Sequence, residues 1–243
     1  KIRGICGVLF SSLFGKVGRA ALQPLIQREY SDKPPWQLSF SLERSLRFLD
    51  LILHSTPARW LPVRDRQLPP LVCCSDGRAG SAGAPSVSAL VIDVLSNQRV
   101  GCVAVVPALL LAQWGNLKQP IALVELVAVL MGMLDLIHKQ PQWRSRDIVW
   151  YIDNAVALSC LTKGTSSSQA LARGAECVHL LAAEGRHRMW FEYVESFSNW
   201  SDGSSRLLLE DPWITRNHFD VRRVHLPVWV WSDSDCNTLS LVR

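Results

Sequence analysis

Apolar and polar positions alternate along this chain with more than one period. From Ser41 to Ser55, Leu42, Leu46, Leu49 and Leu53 recur at helical spacing, with Glu43, Arg44, Arg47 and Asp50 between them, which predicts an amphipathic helix. Residues 1–30 mix small and apolar residues with Lys16, Arg19 and Arg28 and also read as helical, and the paired prolines of Ser31–Trp36 break the two apart. Beyond a proline-rich stretch, Pro57–Pro70, the pattern changes to short apolar runs bounded by turn formers, the signature of buried strands: Leu71–Ser75, Ser88–Val94 and Arg99–Val106. A helix of about seventeen residues is expected after Pro120, a residue suited to a first helical turn. Then come a strand at Ile148–Ile152, helices near Asn154–Lys163 and Ser168–Glu184, a strand at Met189–Val194 and a short helix from about Asn199. Three strands able to form hairpins, followed by alternating units, predict a mixed sheet flanked by helices.

Composition narrows the class. The chain has 243 residues, 48% hydrophobic and 19% charged, which describes a core-forming protein and excludes a disordered one. A net charge of +5 is compatible with a polyanionic partner and too small to establish one. The seven cysteines show no CxxC pair or Cys/His metal spacing, and several lie in apolar runs; a reducing, intracellular compartment, cytoplasmic or nuclear, and no structural zinc are expected. Pro107, Glu125 and Asp135 interrupt the longest apolar runs, so no membrane span is expected. The first residues lack an initiator Met and have Ser11 and Ser12 inside their apolar stretch, which reads as an internal piece of a longer polypeptide.

The candidate chemistry is carried by carboxylates in apolar surroundings, where a charge is costly unless compensated. Asp76 closes Leu71-Val-Cys-Cys-Ser, and Asp153 closes Ile148-Val-Trp-Tyr-Ile. Glu125 stands in an apolar helix with Ile121, Ala122, Ala128 and Val129 at i±3 and i±4, so nothing on its own helix can pair with it. Asp202 opens the last helix. Each has a plainer explanation: Asp76-Gly77 is a turn signal, Asp153 and Asp202 suit helix caps, and Glu125 can face solvent. Together they supply the oxygen donors that Mg²⁺ or Mn²⁺ prefers. Asp93 is expected to point outward from its strand and Asp135 lies near a helix end; neither is assigned a role. Trp150 and Trp190 are expected in the core.

In this order the elements and acids resemble the ribonuclease H fold. The local wording is similar to the ribonuclease H domain of retroelement reverse transcriptase polyproteins: Ser75-Asp76-Gly77, Tyr151-Ile152-Asp153-Asn154 with Ala157, and Asn199 followed by Asp202, Ser205 and Arg206. Upstream, Leu13-Phe14-Gly15-Lys16-Val17 with Ala20-Ala21 is similar to the segment after a polymerase palm. The likeness covers roughly Pro69 to Leu208. It implies an α/β (α+β-like) ribonuclease H-like fold, a mixed five-stranded sheet flanked by helices and preceded by a small helical segment. Residues 1–60 would be a thumb- or connection-like segment, 61–68 a linker, 69–208 the ribonuclease H-like domain, and 209–243 an extension of unknown role.

The resemblance further implies a metal-dependent endonuclease that cuts the RNA strand of RNA–DNA hybrids, using two Mg²⁺ (or Mn²⁺) ions. Asp76 would be shared by both ions, Glu125 and Asp153 would complete one and Asp202 the other. Arg78, Asn154, Ser204, Ser205 and Arg206 would contact nucleic acid. An upstream polymerase domain in the same polyprotein would be the partner. The His that such enzymes carry in a loop before the final Asp is not matched, because His187 precedes the last strand, and no YxDD polymerase motif occurs. Two alternatives stay open: a catalytically inactive module of the same fold that binds nucleic acid or serves as a structural connection, and another nuclease of the superfold.

Overall fold

The computed structural model describes residues 16–31, 33–34, 36–55, 68–80, 84–114, 120–226 and 230. The expected linker apart from Leu68, the Leu13–Gly15 part of the palm-following segment, and Trp229 and Trp231 lie outside the described residues. The described residues open with helices α1 (Leu22–Glu29) and α2 (Phe40–Ser55), followed by strands β1 (Leu71–Arg78), β2 (Ser86–Asp93) and β3 (Gln98–Val105). Helix α3 (Ala108–Trp114) and helix α4 (Pro120–Gly132) lead to β4 (Asp147–Ile152), α5 (Ala155–Lys163), α6 (Gln169–Glu184) and β5 (Arg188–Tyr193). Helices α7 (Asp202–Leu207) and α8 (Pro212–Arg216) and strand β6 (Asp220–Arg223) complete it.

The strands form one mixed sheet in the order β5-β4-β1-β2-β3-β6. β1, β2 and β3 are an antiparallel meander, β4 and β5 join β1's side in parallel, and β6 runs parallel to β3. All five expected strands are present. The sixth comes from the region read as an extension without assigned role, where Asp220-Val-Arg-Arg is too short and too charged to register as a strand by pattern.

Helix α4 explains its own composition. It is apolar on every side because it is buried on every side, from Ala122 to Gly132, against β1, β2 and α6. It continues as one π-helical turn, Met133–Ile137, so Pro120–Ile137 is by length and composition alone long and apolar enough to cross a membrane, and here it is the central core helix. Trp150 of β4 is fully buried against the same core, as expected, and its indole N–H donates to Ser75 Oγ at 2.9 Å.

Helices α1 and α2 pack on the outer side of α6. Val17, Ala21, Phe48, Leu49 and Ile52 share a small core with Leu180 and Ala183, and Arg44 lies 3.9 Å from Glu176.

Two expectations about single residues are corrected. Asp93 does not point outward: it is buried and takes a 2.9 Å ion pair from Arg146, with Ser96 and the Leu95 N–H completing its shell. Arg146 also donates to Pro69 O at 2.6 Å, and its own carbonyl bonds His187 Nδ1 at 3.2 Å, so these contacts tie together the ends of four strands, β1, β2, β4 and β5. Trp190 is not in the core: β5 is the edge strand and the ring, 66% exposed, stands on its outer face with Nε1 bonded to Glu192 at 3.1 Å.

Candidate active site

Asp76, Glu125 and Asp153 each offer a carboxylate oxygen within 4.8 Å of the others. They come from β1, α4 and the residue after β4, and two features of the sheet bring them together. β1 and β4 are parallel neighbours in which Ser75 lies beside Ile152, so the next residues of each strand, Asp76 and Asp153, emerge at the same end. Glu125 is delivered by a close approach of helix to strand at Gly77. A Cβ on Gly77 would stand 2.7 Å from Glu125 N and from Val124 C, backbone atoms that cannot swing aside. The Asp-Gly pair is therefore no turn, as its composition suggested. It lies within β1, opposite Ser88 and Val87 of β2, and the glycine is the gap that lets α4 reach the acid.

Gly77 is the site residue that sequence reasoning missed as such. We expect Gly77→Ala to force α4 off β1, lowering the urea midpoint of unfolding by the equivalent of about 1–3 kcal/mol, the range for overpacking a tight core, and to remove any stabilisation by divalent metal.

The electrostatics of the cluster are those of repelling, desolvated acids. Burial, above all, pushes the Glu125 carboxyl up to about 10, the charges of Asp76 and Asp153 push the same way, and the Gly77 N–H opposes them. Asp76 is pushed up to about 7, first by burial and then by Asp153 and Asp202, against the Ser205 hydroxyl and Arg206. Glu125 Oε2 and Asp153 Oδ1 are buried with no hydrogen-bond partner among the described residues. Three convergent carboxylates with two orphaned oxygens are a donor set that fits a hard divalent cation such as Mg²⁺ or Mn²⁺.

Asp202 lies outside that 4.8 Å set, close enough for its charge to act on Asp76. It is not a helix cap; Oδ1 accepts from Arg206 Nη2 at 2.6 Å and Nε at 3.1 Å. Helix α7, which carries both, is held by buried serines: Ser204 Oγ bonds Ser88 Oγ at 2.6 Å, and Ser86 Oγ donates to Ser205 O at 2.5 Å.

The residues expected to contact nucleic acid separate accordingly. Ser204 and Ser205 are fully buried and their hydroxyls are bonded inside the fold, which corrects their assignment to a binding surface. Asn154 Oδ1 caps α5 by accepting from the Val156 and Ala157 N–H groups, both at 3.0 Å. Arg206 is exposed, and Arg78 lies beside it, Nη1 reaching Arg206 O at 3.4 Å.

No protein-family model matches the chain, and no curated protein does. Among solved structures, RNase H1 from the halophilic archaeon Halobacterium salinarum NRC-1 is similar over 52% of this chain and 86% of its own, at 14% identity and a TM-score of 0.34. The six strands form a mixed α/β sheet flanked by helices, the architecture expected from the sequence pattern. The chemistry of the site rests on its own geometry.

Proposed function

We propose that this chain is a Mg²⁺- or Mn²⁺-dependent phosphodiester hydrolase that cuts the RNA strand of an RNA–DNA hybrid, the ribonuclease H part of a retroelement reverse transcriptase acting inside the cell, in cytoplasm or nucleus. The observation that carries it is the convergence of Asp76, Glu125 and Asp153 within 4.8 Å, two of them with orphaned buried oxygens. When bound, two divalent ions would activate a water and stabilise the departing oxygen at the scissile phosphate. Asp76, Glu125 and Asp153 would hold one ion and share Asp76 with the second. Asp202 would be the residue to complete the second position, with Arg206 then free to bind a phosphate oxygen. That exchange is cheap, because an exposed ion pair contributes about 0–1 kcal/mol and a guanidinium suits phosphate. Arg78 supplies a second cation on the same rim. The pair α1 and α2, seated on α6, suits the thumb- or connection-like segment that would follow a polymerase domain in the same polyprotein.

One observation favours a second reading, an inactive nucleic-acid-binding module: Asp202 is tied to Arg206 and stands apart from the other three acids. A labelled RNA–DNA hybrid separates the two. Under the proposal the RNA strand is cut in Mg²⁺ or Mn²⁺, duplex DNA is left intact, single-stranded RNA is a poor substrate and a chelator stops the reaction. Hybrid binding without cleavage in either metal assigns the inactive module.

A further inference from the structure

We propose that the turn carrying Phe197, at the acid end of the sheet, is a binding site for an unpaired nucleobase; the choice of ligand rests on the nucleic-acid reading above. Strand β5 is parallel to β4, so its last residue, Tyr193, lies beside Ile152, one residue before Asp153. Val194 N then donates to Ile152 O at 3.1 Å. Five residues later, buried Asn199 donates from Nδ2 to Ser75 O at 2.9 Å, one residue before Asp76, while its Oδ1 accepts from Ser201 Oγ at 2.7 Å. The loop therefore has two feet, each one residue from an acid of the cluster.

Between the feet the backbone is a single 3-10 turn, Ser196–Ser198, closed by Ser198 N to Glu195 O at 2.8 Å and Asn199 N to Ser196 O at 3.1 Å. Phe197 stands on this turn 86% exposed, and Tyr193, at the first foot, is 49% exposed. A lone exposed Phe is ordinary. This one is held on a turn pinned at both ends beside the acids. The loop residues Val194, Glu195, Ser196, Phe197 and Ser198 include no cation, and Glu195 repels phosphate. What the loop offers a polyanion is a ring face, which stacks on any base and needs no charge.

The test uses the full chain carrying Asp153→Asn and a hybrid with a one-nucleotide 2-aminopurine overhang. The expected result is quenching of the overhang on binding. Phe197→Ala abolishes the quench and weakens binding about tenfold, within the range of one base–aromatic stack. The slope of log affinity against log salt stays unchanged, because no phosphate contact is lost. Phe197→Trp restores quench and affinity. Equal quench and affinity in Phe197→Ala and its parent overturn the proposal, as do a changed salt slope that Trp leaves uncorrected and a failure of the parent to bind the hybrid. A Phe197-dependent quench in a protein whose unsubstituted form cuts nothing removes the nuclease reading and keeps the base site. Cleavage without any Phe197 dependence does the reverse.

Discussion

On the proposed nuclease reading, Asp153→Asn is expected to abolish cleavage of the RNA strand and to leave hybrid affinity largely unchanged. The amide keeps the shape of the side chain and removes its charge, so the buried Oδ1 that has no partner among the described residues loses its ability to hold a cation. Folding is spared, because the cap of α5 is made by Asn154 and not by its neighbour. Loss of a partner that only supports a metal ligand already costs about 10–100-fold, so removing a ligand itself lowers the single-turnover rate by more than that. Anisotropy with the same hybrid measures binding independently. Cleavage that survives both the substitution and chelation would sink the mechanism.

The second large effect is on stability. Glu125 and Asp76 have folded-state values raised to about 10 and about 7, above ordinary values of 4.5 and 3.8. A carboxyl raised by folding favours the folded state while protonated. Its contribution is complete below the ordinary value and is lost as pH rises through the folded one. Metal-free protein is therefore expected to melt at progressively lower temperature from about pH 4 to about pH 10, Asp76 contributing up to about pH 7 and Glu125 across the whole range. Glu125→Gln cannot ionise and flattens the profile, so at pH 8 without metal the variant melts above the unsubstituted protein.

If the acids hold a divalent cation as proposed, added metal is expected to reverse the order. A cation at one hundred times its Kd stabilises by about 2.7 kcal/mol, roughly 5–10 °C for a chain of this size, and the Gln variant, short of one ligand charge, gains less. Differential scanning fluorimetry across pH, with Mg²⁺ and with chelator, reads both effects. Identical melting with metal and chelator in the unsubstituted protein contradicts the metal site.

Much of this was legible from sequence, for a local reason. The β-type runs and the apolar Pro120 helix announce themselves by their own neighbours, and Glu125 is conspicuous because nothing on its helix can pair with it. What escaped depends on partners far along the chain. Asp93 looks free until Arg146 is placed beside it, and Ser204 looks solvated until Ser88 is found against it. Asp76-Gly77 looks like a turn because the strand's last residues are polar or small, and only the packed helix shows what the glycine is for. Trp190 sits in an apolar run that reads as core, and the period of that run says nothing about whether another strand lies beyond it. Strand β6 escaped for the opposite reason: its two arginines hide a ladder to β3 that is made by backbone alone.

That short ladder has a consequence for how copies of this chain meet one another. β3 is eight residues long, and Val100–Val103, mostly buried, pair with Asp220–Arg223. Ile214 and Phe219 seal the approach by packing on Leu90 of β2. A polypeptide ending at Leu208 would keep every acid of the cluster and lose this cover. Its β3 would then present a row of unpaired N–H and C=O groups flanked by apolar side chains, the template on which identical strands add. Four residues rich in charge thus occupy an edge of β3 that would otherwise be open to another strand.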